Sequence, residues 1–230
     1  VGIMDSLEVA VVGCGGHAQS HFKMIADEPR MRLTAAAEIN RDKLEETKEK
    51  HSPEQVFTDY REMLDKCKPD VVYVVTMPGH ILPIVLDCLS RDINVSVEKS
   101  PGMSSEETEQ MAMAVKNSKS KAIVSFNRRY IPEILAVRRL IMERGGAVHC
   151  GATYNKTLSP LSSPSMVSIA PDPIICDAIH HVDLIRWLAG STNETAALPT
   201  KVYSEVQDGN RPVSHRHNAV IRFDTETIGY

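Results

Sequence analysis

The sequence predicts an α/β protein in which a doubly wound parallel sheet is followed by an α+β domain with a largely antiparallel, open sheet. Up to about residue 125, strand-like apolar runs alternate with helical segments, which is typical of parallel strands covered by helices on both faces. From residue 126 onward, helices and then a run of strands follow. We therefore predict two domains, 1–125 and 126–230, and expect the second to be incomplete at its C-terminus.

The first strand-to-helix connection has the pattern of a dinucleotide-binding turn. The apolar strand Leu7 to Val12 leads into Gly13-Cys-Gly-Gly-His-Ala18 and then a helix. Gly13 permits the tight turn, Gly15 lets the backbone approach a pyrophosphate, and the small Ala18 lets the helix pack against the strand. The N-terminus of the helix then points at the phosphates.

The second strand supplies the acid that this motif requires. It spans Arg32 to Glu38 and ends twenty residues after Ala18, where a carboxylate can accept hydrogen bonds from the adenosine ribose. Together with Gly16 and His17 in the turn, Glu38 predicts a Rossmann domain that binds NAD. NADP is the alternative, because Arg41 can offset the repulsion between Glu38 and a 2′-phosphate.

The other elements of the first domain follow in chain order. Runs of β-branched residues identify the strands, and helical periodicity or propensity identifies the helices. Ser104 is the predicted cap of the last helix, with Glu107 as its reciprocal partner. The predicted strands are 56–60, 70–76, 93–97 and 121–126, and the predicted helices are 41–50, 61–66, 81–90 and 104–117.

The second domain contains two predicted helices and four predicted strands. The helices are 132–144, stopped by Gly145 and Gly146, and 177–189, capped by Gly190. The strands are 148–156, 201–206, 219–223 and one from 227 onward, and the Ser- and Pro-rich segment 159–173 is predicted to be a loop over a site. An open sheet needs cover on one face, so we expect a homo-oligomer, either a dimer or a tetramer.

Composition excludes several classes of partner. A net charge of −4 gives no field that attracts nucleic acid or an anionic membrane. The longest apolar run, Val71 to Val75, is far too short to cross a bilayer. The five cysteines are scattered and form no Cys-x-x-Cys pair, which argues against a zinc site or a redox dithiol. Reduced cysteines and the absence of a leader pattern predict a cytoplasmic protein.

Polar residues follow two of the buried strands in the first domain. Glu98 and Lys99 come directly after the fifth strand, at the edge where doubly wound sheets bind their ligands. There a lysine ammonium can hydrogen-bond the oxygen of a substrate alcohol or carbonyl, although a solvated lysine at a strand end is the alternative. Thr76, Pro78 and His80, in the turn after the central strand, are predicted to line the cofactor's ribose.

The helix 177–189 concentrates polar groups at its start. Asp177 stands three residues before His180 and four before His181, so it shares a helix face with either. A carboxylate beside an imidazole fixes its tautomer and stabilises its cation, as a general base requires. Adjacent histidines point about 100° apart, so we expect no metal. The alternative is an acid that only favours the helix N-terminus.

Two further pairs of basic residues are candidates for binding. Arg128 and Arg129 lie where the two predicted domains meet in the sequence, and they bind a substrate anion or pair with acids across the interface. The second role is favoured for both, and Arg129 is kept as a candidate substrate ligand. His17 and His21, in the first helix, are expected to be packing or surface residues, although both lie near the expected phosphates.

Taken together, these segments resemble the family of glucose-fructose oxidoreductase, inositol dehydrogenase and rhizopine-catabolism proteins. The likeness runs from Leu7 to the C-terminus. It rests on the glycine turn, residues 76–80, Glu98-Lys99, residues 127–130 and residues 179–190. The resemblance implies an NAD(P)-dependent oxidoreductase in which Lys99 is the catalytic lysine, His180 is the helix histidine and Asp177 is its acidic neighbour.

Two positions depart from the family pattern. The family has proline directly after the lysine, where this chain has Ser100 and then Pro101. In the family, an acid lies four residues before the histidine, and an aspartate lies three residues after it. The first spacing fits Asp177 and His181, whereas the second fits His180 and Asp183. The choice of base therefore stays open between the two histidines, with His180 preferred.

The resulting hypothesis is an oxidoreductase that moves a hydride between NAD(P) and a secondary alcohol or carbonyl carbon of a sugar, polyol or derivative. Lys99 polarises or deprotonates the reacting oxygen, His180 accepts the proton, and Asp177 orients His180. Arg129 and His181 complete the predicted substrate contacts. Two alternatives stay open: a glycosidase of the same family that oxidises and re-reduces its substrate while retaining the cofactor, and a dinucleotide-binding regulator without activity.

Overall fold

The computed structural model describes residues 6–155, 172, 174–207 and 216–230. The chain forms two compact units, Val1–Ser125 and Phe126–Tyr230. All five cysteines are free thiols, and four of them are buried. Within the described residues, no helix is long and apolar enough to cross a membrane.

A six-stranded parallel sheet forms the centre of the first unit. Its strands are β1 (Leu7–Val12), β2 (Met31–Ala37), β3 (Gln55–Phe57), β4 (Val71–Val74), β5 (Asn94–Val97) and β6 (Ala122–Val124). The order across the sheet is β3-β2-β1-β4-β5-β6. Because the chain builds outward from β1 in one direction and then in the other, the strand order reverses between β1 and β4. This confirms the predicted doubly wound sheet.

Helices cover both faces of this sheet. They are α1 (Ala18–Asp27), α2 (Arg41–His51), α3 (Tyr60–Cys67), α4 (Ile81–Ser90) and α5 (Ser105–Asn117). Successive residues of a strand point to opposite faces, and those of β1 are buried in two different cores. Val9 and Val11 pack in the core that contains Phe22 of α1, whereas Ala10 and Val12 pack in the core that contains Ile84 of α4. The nearly continuous hydrophobicity of β1 is therefore that of a strand buried on both faces.

The start of α5 differs in one detail from the predicted capping box. The Ser104 side chain accepts a hydrogen bond from the Glu107 backbone N–H, as expected. The Glu107 carboxylate, however, accepts from the N–H of Met103 at 2.7 Å rather than from that of Ser104. The carboxylate therefore ties down the residue before the cap.

The second unit contains two α-helices and a four-stranded mixed sheet among its described residues. The helices are α6 (Pro132–Glu143) and α7 (Ile179–Ala189), and the strands are β7 (His149–Cys150), β8 (Pro199–Gln207), β9 (Arg216–Phe223) and β10 (Ile228–Gly229). The order is β7-β10-β9-β8. β9 is antiparallel to both of its neighbours, and β10 is parallel to β7. The predicted, largely antiparallel sheet is confirmed.

The strand predicted over 148–156 is wrong for residues 151–155, and residue 156 lies outside the described residues. β7 contains only His149 and Cys150, which pair in register with Ile228 and Gly229 of β10. Beyond the strand, Gly151 lies so close to the Tyr230 ring that a Cβ on it would come within 2.5 Å of a ring carbon. The loop predicted over 159–173 lies outside the described residues, apart from Asp172.

The helix predicted over 177–189 begins two residues later than expected. Residues Ile174–Ala178 form a π-helical turn, and α7 starts at Ile179. The carboxylate of Asp172 accepts a hydrogen bond from the N–H of Ile174 at 2.7 Å and so caps this turn. Asp177 therefore lies in the wider π turn, where the α-helical spacing that the prediction used does not apply.

Gly190 ends α7 for a different reason from the predicted one. Its φ is −64°, so the left-handed conformation typical of a glycine cap is absent here. A Cβ at Gly190 would lie only 1.8 Å from the carbonyl oxygen of Thr195. Glycine is needed at this position because two backbone segments approach each other closely.

Candidate functional site

The glycine turn after β1 has one packed side and one open side. Gly13 has a φ of +96°, and a Cβ on it would lie 2.3 Å from the carbonyl oxygen of Val75. At Gly15 and Gly16 a Cβ would meet nothing within 4 Å, so the backbone in front of α1 is open to a ligand. Ala18 is fully buried. An open backbone at a helix N-terminus fits the pyrophosphate of a dinucleotide.

Glu38 lies at the end of β2 and is held against this turn. One of its carboxylate oxygens accepts a hydrogen bond from the N–H of Cys14 at 2.9 Å, and the other accepts from the N–H of Asn40 at 2.9 Å. Each oxygen can accept more than one hydrogen bond, so the carboxylate retains capacity for a ribose hydroxyl. Glu38 thus occupies the position that the motif predicts, in a fixed orientation.

The Cys14 thiol in this turn is buried and neutral. Burial raises its pKa to about 11, the hydrogen bond with Thr47 partly opposes this, and the charge of Glu38 adds to it. A thiolate is the reactive form of cysteine. Cys14 is therefore a packing residue of the turn rather than a nucleophile.

The predicted cofactor ligands of the first unit lie at one edge of its sheet. The glycine turn follows β1, and Glu38 follows the neighbouring strand β2. Residues Pro78–His80 form a 3₁₀ turn after β4, and Glu98 follows β5. These four strands are adjacent in the sheet, so their carboxyl ends bring the predicted residues together at the ligand-binding edge of the fold.

Glu98 is buried between two histidines at the start of α1, the N-cap residue His17 and His21 of the first turn. It is 7% exposed, its Oε1 lies 2.9 Å from Nε2 of His21, and its Oε2 lies 3.3 Å from Nε2 of His17. Burial favours the neutral carboxyl, but the hydrogen bond with His21 and the nearby positive charges of His17 and His21 outweigh it. The pKa of Glu98 is therefore lower than usual.

The partnership of Glu98 and His21 was missed by sequence reasoning, which assigned His21 to a packing or surface role and counted His17 among the residues of the cofactor turn. His21 is instead a hydrogen-bond partner of a buried acid. Two signals point to this contact: the histidines are spaced i, i+4 after the glycine turn, and the acid follows a strand whose end reaches the same edge of the sheet.

Lys99 follows Glu98 and is half-buried. The peptide bond between Lys99 and Ser100 is cis. Ser100, which stands where the family pattern has proline, is fully buried. Lys99 thus lies at the carboxyl edge of the sheet, where the sequence places it.

The adjacent histidines of α7 have different surroundings. His180 is buried and makes an edge contact with the Phe126 ring, with 6.2 Å between centroids. His181 is half-buried, its ring lies 4.9 Å from that of Tyr154, and Nη1 of Arg128 lies 3.1 Å from its Nε2. Burial and then the positive charge of Arg128 lower the pKa of His181. The imidazole of His181 is therefore neutral at pH 7.

Arg129 pairs with an acid of its own unit. Its Nε donates to Oδ2 of Asp183 at 2.7 Å, and its Nη2 donates to Oδ1 of the same carboxylate. The guanidinium also lies 4.9 Å from the centre of the Trp187 ring. Arg129 does pair with an acid, but the predicted pairing across the interface is wrong. Asp183 belongs to the same unit as Arg129 and lies on α7, one turn after His180.

A second arginine, Arg138 of α6, fixes the other end of α7. It is 2% exposed, and its Nη1 donates to the carbonyls of Leu188 at 2.9 Å and Gly190 at 3.0 Å. These carbonyls carry the negative end of the helix dipole. Sequence reasoning missed this anchor, although an arginine in line with the apolar residues of an amphipathic helix was its visible signal.

The sequence profile of a family described as "Oxidoreductase family, NAD-binding Rossmann fold" matches residues 7–126, just over half of the chain. The uncharacterized oxidoreductase YrbE of Bacillus subtilis is 22% identical over 205 residues, which cover 86% of this chain and 60% of that protein. The inositol 2-dehydrogenase of Rubrobacter xylanophilus is 27% identical over 197 residues, which cover 81% and 53%. The chain thus spans 53–60% of the length of these relatives.

Solved structures of inositol dehydrogenases share the fold. The myo-inositol 2-dehydrogenase from Lactobacillus plantarum superposes with a TM-score of 0.84 at 20% identity, covering 98% of this chain and 68% of that one. The scyllo-inositol dehydrogenase from Lactobacillus casei, solved with bound NAD(H) and scyllo-inositol, gives 0.82 at 20% identity, with the same coverage. At this identity the likeness establishes the fold alone.

Proposed function

The chain belongs to the oxidoreductase family with an NAD-binding Rossmann fold, and on that premise we propose that it transfers a hydride between NAD and a secondary alcohol carbon of a polyol or sugar. The observation that carries this proposal is the convergence of the glycine turn, Glu38 and Glu98-Lys99 at one edge of a parallel sheet. The Rubrobacter relative is named as an inositol 2-dehydrogenase, and both solved structures described above are named as inositol dehydrogenases. Since inositols are cyclic polyols, this favours a polyol substrate.

The residues of the glycine turn fit the cofactor. The open backbone at Gly15 and Gly16 would receive the pyrophosphate, and Glu38 would accept from the ribose. Thr76, Pro78 and His80 would border the ribose from the turn after β4. When bound, the nicotinamide supplies the acceptor or donor of the hydride.

The fixed carboxylate of Glu38 supports a preference for NAD over NADP. A 2′-phosphate would bring negative charge against a carboxylate that two backbone N–H groups already orient. NADH should therefore bind more tightly than NADPH in a fluorescence titration, and Glu38→Gln, which removes the charge and keeps the shape, should narrow the difference. Equal or tighter binding of NADPH by the unaltered chain would refute the preference.

The proposed roles of the remaining residues follow from their chemistry. Lys99 hydrogen-bonds the reacting oxygen and favours its negative charge while the hydride leaves the carbon. His180 accepts the hydroxyl proton, and Asp177 acts as its positioning residue. Arg129 holds Asp183 on α7 and so keeps the helix that carries His180 in place.

Substitution of Lys99 tests the function directly. A panel of polyols and sugars with NAD, followed by NADH absorbance, should contain a substrate for the unaltered chain. Lys99→Ala should then lower turnover by about 10²- to 10⁴-fold while changing NADH affinity only a few-fold. Lys116→Ala, at an exposed lysine of α5, is the matched control. Turnover by Lys99→Ala within about tenfold of the original would exclude Lys99 from the chemistry.

The two histidines of α7 are distinguished by their pH profiles. His180→Asn should lower turnover and remove an ionisation from the pH–rate profile, whereas His181→Asn should mainly change the KM. Asp177→Asn should weaken His180 by disturbing its tautomer. If His181 were essential and His180 dispensable, the base would be His181, which lies four residues after Asp177.

We also propose that the open sheet of the second unit mediates self-association. All nine residues of β8 are exposed, and Tyr203 pairs across the sheet with Val220, which is exposed as well. A second copy laid on this face would bury both side chains. Tyr203→Glu should shift the chain toward monomer in sedimentation equilibrium, with Ser204→Glu, which introduces the same charge on the opposite face of this exposed strand, as control. An unchanged mass for Tyr203→Glu would exclude this face.

A further inference from the structure

Three potential metal ligands converge beside the glycine turn. They are Nε2 of His17, Nε2 of His21 and the carboxylate of Glu98, and their ligand atoms all lie within 4.8 Å of one another. His17 is the residue that caps the N-terminus of α1, His21 lies in the first turn of that helix, and Glu98 directly follows β5. The cluster therefore joins two elements that are far apart in the sequence.

Two of the three distances between these ligand atoms are close to those in a zinc site. With metal–ligand bonds of about 2.0–2.1 Å, two ligands of a tetrahedral zinc ion lie about 3.3 Å apart. The carboxylate oxygens of Glu98 lie 3.3 Å from His17 and 2.9 Å from His21. An ion can enter between them with adjustments of a few tenths of an ångström on these two edges.

The three side chains differ in exposure, as the ligands of a metal site that is open to solvent do. Histidines at i and i+4 lie on one helix face, the spacing that helical zinc motifs use. The side chains of Glu98 and His21 are 9% and 14% exposed, so they are held in place, whereas that of His17 is 63% exposed and leaves the cluster open to water. Water is the usual remaining ligand of an open zinc site.

We propose that His17, His21 and Glu98 form a binding site for a divalent transition-metal ion, of which Zn²⁺ fits the ligand set best. Two imidazoles and one carboxylate favour zinc and its neighbours over Mg²⁺ and Ca²⁺, which prefer oxygen ligands. The bound ion would connect the start of α1 to the end of β5 and so stabilise the first unit by mass action. This inference is independent of the proposed hydride transfer.

The test is titration of the tag-free chain with Zn²⁺ in competition with a chromogenic chelator, together with the visible spectrum of bound Co²⁺. The unaltered chain should bind one ion per chain. His17→Ala and Glu98→Gln should each weaken binding at least about 10- to 100-fold, since loss of even an outer partner of a ligand costs that much. His149→Ala removes an exposed histidine outside the cluster, and should bind as the unaltered chain does.

Thermal unfolding of the variants separates loss of metal binding from loss of the fold. His17 is exposed, so His17→Ala should fold, and its midpoint of thermal unfolding without metal should match that of the unaltered chain. Zn²⁺ should raise the midpoint of the unaltered chain and of His149→Ala, but not that of His17→Ala. Absence of binding by the unaltered chain, or equal affinity in the unaltered chain, His17→Ala and Glu98→Gln, would overturn the proposal.

Discussion

Glu98 of the first unit and Asp183 of the second are the two carboxylic acids that are fully buried among the described residues, at 7% and 5% exposure. Their partners differ. Glu98 faces the imidazoles of His21 and His17, whereas Asp183 accepts two hydrogen bonds from the guanidinium of Arg129. An imidazole changes its charge near neutral pH, and a guanidinium does not.

The two carboxylates thus differ in the chemistry of their partners. The imidazoles around Glu98 are, by our proposal, ligands of a metal ion. The guanidinium beside Asp183 keeps its charge at all ordinary pH values, and it also lies against the Trp187 ring. The first cluster lies at the proposed cofactor edge, and the second supports the helix that carries His180.

The largest expected effect comes from breaking the ion pair of Asp183 and Arg129. Asp183→Ala leaves the Arg129 guanidinium partly buried without its acid, which should lower the free energy of unfolding by about 3 kcal/mol. Trp187, the single tryptophan of the chain, lies beside this pair and reports on it. Its fluorescence should show an earlier transition in denaturant.

Glu194→Ala, at an exposed acid of the same unit, is the matched control for this experiment. Its Trp187 transition should stay where it is, because an exposed carboxylate contributes little. Asp183→Asn, which keeps the shape and one acceptor oxygen, should fall between the two. If Asp183→Ala behaved like Glu194→Ala, the pair would not support this unit.

A smaller effect is expected at the histidine cluster, where the two partners of Glu98 differ in burial. His21→Ala removes a buried hydrogen bond to an ionised acid and should destabilise the chain by about 1–3 kcal/mol. His17→Ala removes an exposed contact and should change stability by less than about 1 kcal/mol. Far-UV circular dichroism during denaturation measures both, and a larger loss in His17→Ala would reverse our assignment of the main partner.

The histidine cluster should also respond to acid. The folded-state pKa of Glu98 lies below its ordinary value of 4.5, so the folded chain binds this proton less readily than the unfolded chain does. The stabilisation from Glu98 is therefore fully present above pH 4.5 and is lost as the pH falls through the folded-state pKa. Glu98→Gln should show a smaller loss of stability than the unaltered chain below pH 4.5, and parallel curves would contradict this.

Local sequence signals account for most of the first unit. The turn around Gly13 was predictable because its strand, glycines and helix are consecutive, and the positive φ of Gly13 is the one that the motif requires. The contact between Glu98 and His21 was harder to predict, because the two residues lie 77 positions apart. The spacing of the histidines and the position of Glu98 after a strand place both at one edge of the sheet, but the pairing itself depends on which strand end meets which helix start.

The second unit was less predictable because its contacts are less local. Alternation from Val148 onward indicates a strand, but its length depends on how far β10 pairs with it. Similarly, an ion pair of Arg129 with an acid was expected. Its partner, Asp183, lies 54 residues further along the chain, and the two residues meet only because of how α7 packs. The π turn before α7 had no sequence signal that we recognise.

The smallest effect tests why His181 differs from the histidines around Glu98. His181 faces Arg128 rather than an acid, and its pKa is lowered first by burial and then by that positive charge. Arg128→Met should therefore raise the pKa of His181 without restoring its ordinary value, because the burial remains. NMR titration of the histidine Cε1 signals measures this, with His181→Asn identifying the signal and Arg139→Met, at an exposed arginine of α6, as control. If the signal titrates at the same pH in Arg128→Met and in the unaltered chain, burial alone keeps this imidazole neutral, and the contrast between the two units is one of desolvation rather than of charge.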